Sequence, residues 1–113
     1  MTLDTRPAAP AAPVETVTPI KPSEALRLGR LQRPRHCIGF LQRGEDGACA
    51  LGAMHYGWGM KPDDDETLSD DFVHRFGGLP IHTDDIASLF DGTEIDGRDG
   101  DAAVLAYLEE RGL

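Results

Sequence analysis

Two cysteines and two of the four histidines, Cys37, Cys49, His36 and His55, are the residues most able to bind a metal ion or to form a nucleophile–base pair. Structural zinc sites draw their ligands from closely spaced pairs, and the sequence contains no Cys-x-x-Cys or His-x3–5-His pair. His55 follows Cys49 by six residues, a spacing that does not share one helix face. We therefore expect no metal site and no catalytic thiol, and predict that Cys49 is a small buried core residue.

Aspartate and glycine are concentrated in residues 91–101, DGTEIDGRDGD, a composition that resembles a calcium-binding loop. An EF-hand loop needs oxygen ligands at positions 1, 3 and 5 and a glutamate at position 12. A loop that starts at Asp91 places Ile95 at position 5, and one that starts at Asp96 places Arg98 at position 3. Both registers fail, so we interpret the segment as a polar turn that caps the last helix.

Two short segments, 69–77 and 83–92, share one pattern: a hydroxyl residue, two aspartates, apolar residues at helical spacing and a glycine. The hydroxyl predicts an N-cap, and the aspartates stabilise the positive end of the helix dipole. We therefore expect two helices of about two turns each, ended by Gly77 and Gly92. Their paired carboxylates are Asp70, Asp71, Asp84 and Asp85. The sequence has no phosphate loop, dinucleotide-binding glycine pattern or nucleophile elbow, and we expect a protein that is not an enzyme and binds no cofactor.

Charge is distributed unevenly along the 113 residues, whose formal net charge is −9. Residues 1–43 contain seven basic and three acidic residues, whereas residues 44–113 contain four basic and seventeen acidic residues. The acidic part would repel nucleic acid and anionic membranes and would suit a basic protein surface. With no signal-peptide pattern, no long apolar run and only two cysteines, we expect a cytoplasmic protein without membrane association.

The N-terminal 21 residues are rich in alanine and proline, and the prolines prevent helices and sheets from propagating. We predict a flexible, extended arm over residues 1–21, followed by a single small helical domain over residues 22–113. The first helix should start at Ser23 as its N-cap and end before Pro34. We expect Leu28 and Leu31 to supply the apolar contact of this helix. Arg27, Arg30 and Arg33 recur at every third residue and should form a basic stripe along it.

Three further elements complete the predicted fold. Residues 37–50 favour a small β-hairpin or two extended pieces, with a turn at residues 44–47. Residues 48–58 favour a helix that the following glycines end. The last helix should run over residues 101–111 and bury Val104, Leu105 and Leu108. The fold class is therefore mainly α, a compact bundle of short helices with a possible small β-hairpin.

Two of these segments resemble a family of small, uncharacterised bacterial and phage proteins. The resemblance is carried by Ser23-Glu24-Ala25-Leu26-Arg27-Leu28-Gly29, then Pro34, then Cys49-Ala50-Leu51-Gly52-Ala53. In that family a "SEAIRLG" helix is followed by a "CALGA" segment and a C-terminal helix. Many members also have a Cys-x-x-Cys pair and an Asn-Asp turn, neither of which is present in this chain. The resemblance implies a compact fold and no particular activity.

The leading hypothesis from the sequence is a non-catalytic accessory or adaptor protein that binds a larger protein or complex. Trp, Tyr and Met are enriched in interfaces, so the segment 55–60 is a candidate contact, although in a domain this small such residues more often belong to the core. A nucleic-acid-mimicking inhibitor and a small metal-dependent enzyme are the alternatives, and direct binding of nucleic acid is not expected because no aromatic residue accompanies the arginines. The candidate partner-binding residues are Tyr56, Trp58, Met60, Asp70, Asp71, Asp84, Asp85, Arg27 and Arg30.

Overall fold

A computed structural model describes residues 20–113, in which helices pack around one hydrophobic core beside a two-stranded sheet. The elements are α1 (Pro22–Gln32), β1 (Arg35–His36), β2 (Gly47–Ala48), α2 (Ala50–Gly57), α3 (Asp70–Phe76), α4 (Thr83–Ile95) and α5 (Gly100–Glu109). The predicted fold class is confirmed: 52% of the described residues are helical, in five short helices, and a small two-stranded sheet lies beside them. The predicted arm falls almost entirely on residues 1–19, which lie outside the described residues.

Helices α1 and α2 cross through small residues. A Cβ atom added to Gly29 would collide with the backbone carbonyl of Ala53, and one added to Gly57 would collide with that of Ala25. The two backbones therefore touch directly, which only glycine and alanine at these positions allow. The segments 23–29 and 49–53 that carry the family resemblance are thus packed against each other.

The buried face of α1 differs from the predicted one. Leu28 and Leu31 are 45% and 79% exposed, whereas Ala25 and Leu26 are fully buried. The close approach to α2 decides which face turns inward, because a leucine at the crossing would hold the helices apart. Ser23 is also not the cap that the sequence predicts; Lys21 is the N-cap residue, and the Ser23 hydroxyl donates to the carbonyl of Leu113. The helix does end before Pro34, as expected.

The two strands pair in parallel, with Arg35 opposite Gly47 and His36 opposite Ala48. A hairpin would have required antiparallel strands, and antiparallel pairing is limited here to one bridge between Arg43 and Gly47 across the predicted turn. The chain thus forms a tight loop at residues 43–47 and then returns beside β1 in the same direction. This arrangement places β1 between the end of α1 and the start of α5.

The predicted caps hold for α3 but not for α4. The Ser69 hydroxyl accepts a hydrogen bond from the backbone N–H of Phe72, so this residue caps α3 as expected. In α4 the N-cap position is His82 and no side chain caps it. The predicted stop at Gly92 is wrong: α4 continues to Ile95, and Gly97, with a φ of 79°, provides the left-handed turn that follows.

The core is made of side chains from every helix. Its largest fully buried members are Leu26, Met54, His55, Phe72, Ile86, Phe90, Val104 and Leu108. The apolar stripe predicted for α5 is confirmed at Val104 and Leu108, while Leu105 is half-buried. Among the described residues, no helix combines the length and apolar character that crossing a membrane requires.

Candidate functional site

A cluster of polar side chains lies where β1 meets the turn between α4 and α5. It consists of Arg30, His36, Glu94, Asp99 and Asp101, which we call the His36 cluster. His36 is separated from Glu94 by 58 residues along the chain, and Arg30 from Asp101 by 71. The continuation of α4 beyond Gly92 carries Glu94 into this cluster, and the turn that follows places the first residues of α5 against it.

Arg30 is the structural centre of the His36 cluster. Its Nε and Nη2 atoms donate to the two carboxylate oxygens of Asp101 over 2.7 and 2.8 Å, which is the bidentate geometry of a strong ion pair. Nη1 donates to the backbone carbonyls of Arg33 and Ala48, and more weakly to that of Arg35. Since both side chains of the pair are less than 15% exposed, the guanidinium serves the fold and is largely hidden from a partner.

His36 faces a carboxylate with each ring nitrogen. Nδ1 lies 2.6 Å from Oε2 of Glu94, and because a carboxylate can only accept, the proton of this bond belongs to Nδ1. Nε2 lies 3.4 Å from Oδ2 of Asp101, beyond the usual range of an N–H···O hydrogen bond. The same Glu94 oxygen also accepts from the backbone N–H of Gly100, which fixes the carboxylate in place.

Asp99 completes the cluster from the N-cap position of α5. Its Oδ1 accepts from the backbone N–H groups of Asp101 and Ala102, so the predicted capping of the last helix is confirmed at Asp99, whereas residues 91–95 of the predicted turn belong to α4. One atom from each of His36, Asp99 and Asp101 lies within 4.8 Å of the others, a spacing at which they could hold a metal ion. This group could not be found from the sequence, because its ligand spacing matches no linear motif.

The cysteines and His55 are placed where nucleophilic chemistry is unfavourable. Burial raises the pKa of the Cys49 thiol to about 11, and burial also raises that of Cys37. Cys49 is a buried core residue, as predicted. His55 is also in the core, where Nδ1 donates to the carbonyl of Leu51 and Nε2 accepts from the backbone N–H of Ser69. Both of its nitrogens are therefore engaged with the backbone.

An open groove runs beside α3 and the loop that leads to α4. We call it the α3 groove; its volume is about 460 Å³, and its apolar lining comes from Leu68, Val73, Phe76, Leu79, Pro80 and Ile81. Val73 is 50% exposed although it lies in the middle of a helix. Concave, largely apolar surfaces are where proteins most often bind other molecules.

Four exposed carboxylates lie on the two helices next to the α3 groove. Asp70 and Asp71 precede Val73 on α3, and Asp84 and Asp85 follow Thr83, which lines the groove. All four are exposed, and none forms a salt bridge with another of residues 20–113. Asp84 and Asp85 thus adjoin the groove through Thr83, whereas Asp70 and Asp71 line a separate concavity with Lys61.

The aromatic segment 55–60 is packed against the domain and does not project from it. The indole N–H of Trp58 donates to the carbonyl of Ile20, and its ring contacts Phe72 at a centroid distance of 5.4 Å. Tyr56 donates to Gln42, and the guanidinium of Arg33 lies 4.9 Å from its ring centre. These two rings and Met60 are half-buried.

The arginines do not form the exposed stripe that the sequence predicts. Arg33 is buried and donates to the carbonyls of Gly44 and Gly47. Arg27 stays half-exposed and pairs with Glu109 on α5. The acidic second half of the chain therefore neutralises the basic residues of α1 within the same domain.

In comparisons with known proteins, no protein-family model, no curated protein and no solved structure matches the chain.

Proposed function

We propose that the protein is a non-catalytic adaptor that binds a basic, partly apolar segment of a larger protein in the α3 groove. The observation that carries the proposal is the exposure of Val73 beside an open apolar groove of about 460 Å³. Specific interfaces combine an apolar centre with a polar rim, and this surface has both.

The acidic residues near the α3 groove indicate a partner with a basic segment. Asp84 and Asp85 adjoin the groove at Thr83, Asp70 and Asp71 lie at the start of α3, and none of the four forms a salt bridge with another of residues 20–113. The exposed loop that precedes α3 adds four further carboxylates over residues 63–66. Such a field accelerates encounter with a lysine- or arginine-rich segment and disfavours nucleic acid and anionic membranes.

We propose a non-catalytic role because burial makes the candidate nucleophile and base, Cys49 and His55, unreactive. Cys49 holds its proton at neutral pH because burial raises its pKa. His55 cannot act as a base while its Nε2 accepts a backbone N–H. These features and the two free thiols agree with an adaptor that works in the cytoplasm.

A nucleic-acid-mimicking inhibitor is the second candidate, favoured by the unpaired carboxylates of residues 63–66 and α3. The two proposals differ in what the partner contacts. A mimic binds through charge alone, so its complex dissociates as salt rises. An adaptor with an apolar centre keeps most of its affinity in high salt.

The test is affinity capture with the purified full chain, followed by mass spectrometry at low and high salt. We expect Val73→Asp to abolish capture of a basic protein that the wild-type chain retains at both salt concentrations. Ile95→Asp is the matched control, because Ile95 is 72% exposed on α4 and does not line the groove. Equal capture by all three chains would refute the α3 groove as the binding surface. Loss of the partner at high salt alone would favour the mimic.

A further inference from the structure

We propose that His36, Asp99 and Asp101 form a binding site for a divalent transition-metal ion, with zinc as the representative ion. The site is separate from the α3 groove and does not depend on the adaptor function. It would join β1 to the first turn of α5, two elements that the sheet alone does not connect.

The first argument is the state of the His36 ring. Glu94 fixes the proton on Nδ1, which leaves the lone pair of Nε2 directed into the cluster. Nε2 lies 3.4 Å from Oδ2 of Asp101, and two lone pairs at this distance repel each other unless a positive charge lies between them. That charge is either a second proton or a metal ion.

The second argument is distance. Zinc binds imidazole nitrogen and carboxylate oxygen at about 2.0–2.2 Å, and the tetrahedral angle then separates two ligand atoms by about 3.4 Å. The observed separation of Nε2 and Oδ2 is 3.4 Å. A proton shared between the same atoms would draw them to about 2.7–2.9 Å. The spacing therefore fits two ligands of one ion better than a hydrogen-bonded pair.

The third argument is the surrounding shell. Ligating histidines usually donate their other ring N–H to a carboxylate, and Glu94 occupies this role at 2.6 Å from Nδ1. Glu94 is itself held by the backbone N–H of Gly100. Asp101 is oriented by Arg30 through both oxygens, which still leaves a lone pair on Oδ2.

Charge balance points to a divalent ion. With a neutral imidazole, the three carboxylates of Glu94, Asp99 and Asp101 exceed the single charge of Arg30 by two units. A divalent cation neutralises the cluster, whereas a proton on His36 neutralises half of the excess. The mixed nitrogen and oxygen ligands favour zinc over calcium or magnesium, which prefer oxygen alone.

The experiment uses the full, untagged chain after removal of metal with a chelator. Zinc is titrated by calorimetry, the bound ion is counted by elemental analysis, and thermal unfolding is followed with and without zinc. We expect one equivalent of zinc and a higher unfolding temperature in its presence, because a ligand that binds only the folded state stabilises it. Calcium and magnesium should bind at least tenfold more weakly.

Asp99→Asn is the decisive variant. Asparagine caps a helix as well as aspartate does, so α5 keeps its first turn while the site loses an anionic ligand. We expect Asp99→Asn and His36→Gln each to lower the affinity for zinc at least tenfold. Glu94→Gln, which still accepts hydrogen bonds, should lose 10- to 100-fold, the usual effect of changing an outer-shell partner.

Two controls make the result decisive. His74→Gln removes an exposed histidine of α3, and Cys37→Ser removes the thiol next to His36, and neither should change zinc affinity. No binding at millimolar zinc would refute the site. Unchanged affinity in Asp99→Asn and His36→Gln would refute it as well, and dependence on Cys37 would place zinc on the thiol instead.

Discussion

The backbone N–H of Ser69 donates a hydrogen bond to Nε2 of His55, 3.2 Å away in the core. The imidazole ring also stacks on Phe72 with a centroid distance of 3.9 Å and an interplanar angle of 7°. One side chain of α2 thus holds both the N-cap residue and the first buried aromatic residue of α3. Because α3 forms one wall of the α3 groove, His55 positions the proposed binding surface without touching it.

We predict that protonation of His55 destabilises the fold. Burial lowers the pKa of His55 below its ordinary value of 6.5, so the unfolded chain takes up the proton more readily than the folded chain. Stability rises with pH wherever the unfolded state binds more protons, so the free energy of unfolding should fall as pH drops below about 6.5.

The measurement is denaturant unfolding of the wild-type chain and His55→Gln at pH 7.5 and 5.5. Glutamine does not titrate, so the difference between the two pH values should be smaller in the variant. His74→Gln, which removes an exposed histidine, should keep the wild-type difference. A pH dependence that is identical in wild type and His55→Gln would contradict the prediction.

The crossing of α1 and α2 predicts opposite effects for two glycine substitutions. Gly57→Ala places a methyl group against the carbonyl of Ala25, and such overpacking should cost about 1–3 kcal/mol or more of unfolding free energy. Gly92→Ala meets no atom within 4 Å in the middle of α4 and should stabilise the protein by about 0.5–1 kcal/mol. Chemical denaturation measures the free energy of unfolding of both variants. Equal changes in the two variants would contradict the direct backbone contact between α1 and α2.

Replacing Arg30 by methionine should lower the free energy of unfolding far more than replacing Arg27 by methionine. Arg30→Met leaves the buried carboxylate of Asp101 without its charge partner, which typically costs about 3–5 kcal/mol. Arg27→Met breaks a half-exposed pair with Glu109, which is worth about 0–1 kcal/mol. Thermal or denaturant unfolding of the two variants gives the comparison. Similar losses would show that Arg30 contributes no more than a surface residue.

Local chemistry explains which parts of the fold the sequence could predict. The cap at Ser69 and the end of α1 before Pro34 are decided within a few residues, and both are found. The buried face of α1 was mispredicted because hydrophobicity favours Leu28 and Leu31, whereas the crossing with α2 requires Ala25 and Gly29. Such a preference arises only between two helices, so no pattern within one helix reveals it.

The His36 cluster escaped prediction for a related reason. Its members come from α1, β1, α4 and α5, and the last two meet only because α4 passes through Gly92. A glycine in a helix costs only about 1 kcal/mol relative to alanine, which packing readily offsets. A stop at that residue would have moved Glu94 into a loop. The flanking aspartates of the α3 groove, by contrast, follow from capping patterns that a single segment contains.

Ser23 donates through both its backbone N–H and its hydroxyl to the carbonyl of Leu113. Position 113 therefore lies beside the start of α1, so a reporter fused after Leu113 would emerge next to Ser23. The same proximity suits a circular permutant. A short peptide could link Leu113 to Ser23, and the new chain ends would lie in the exposed acidic loop at residues 63–66.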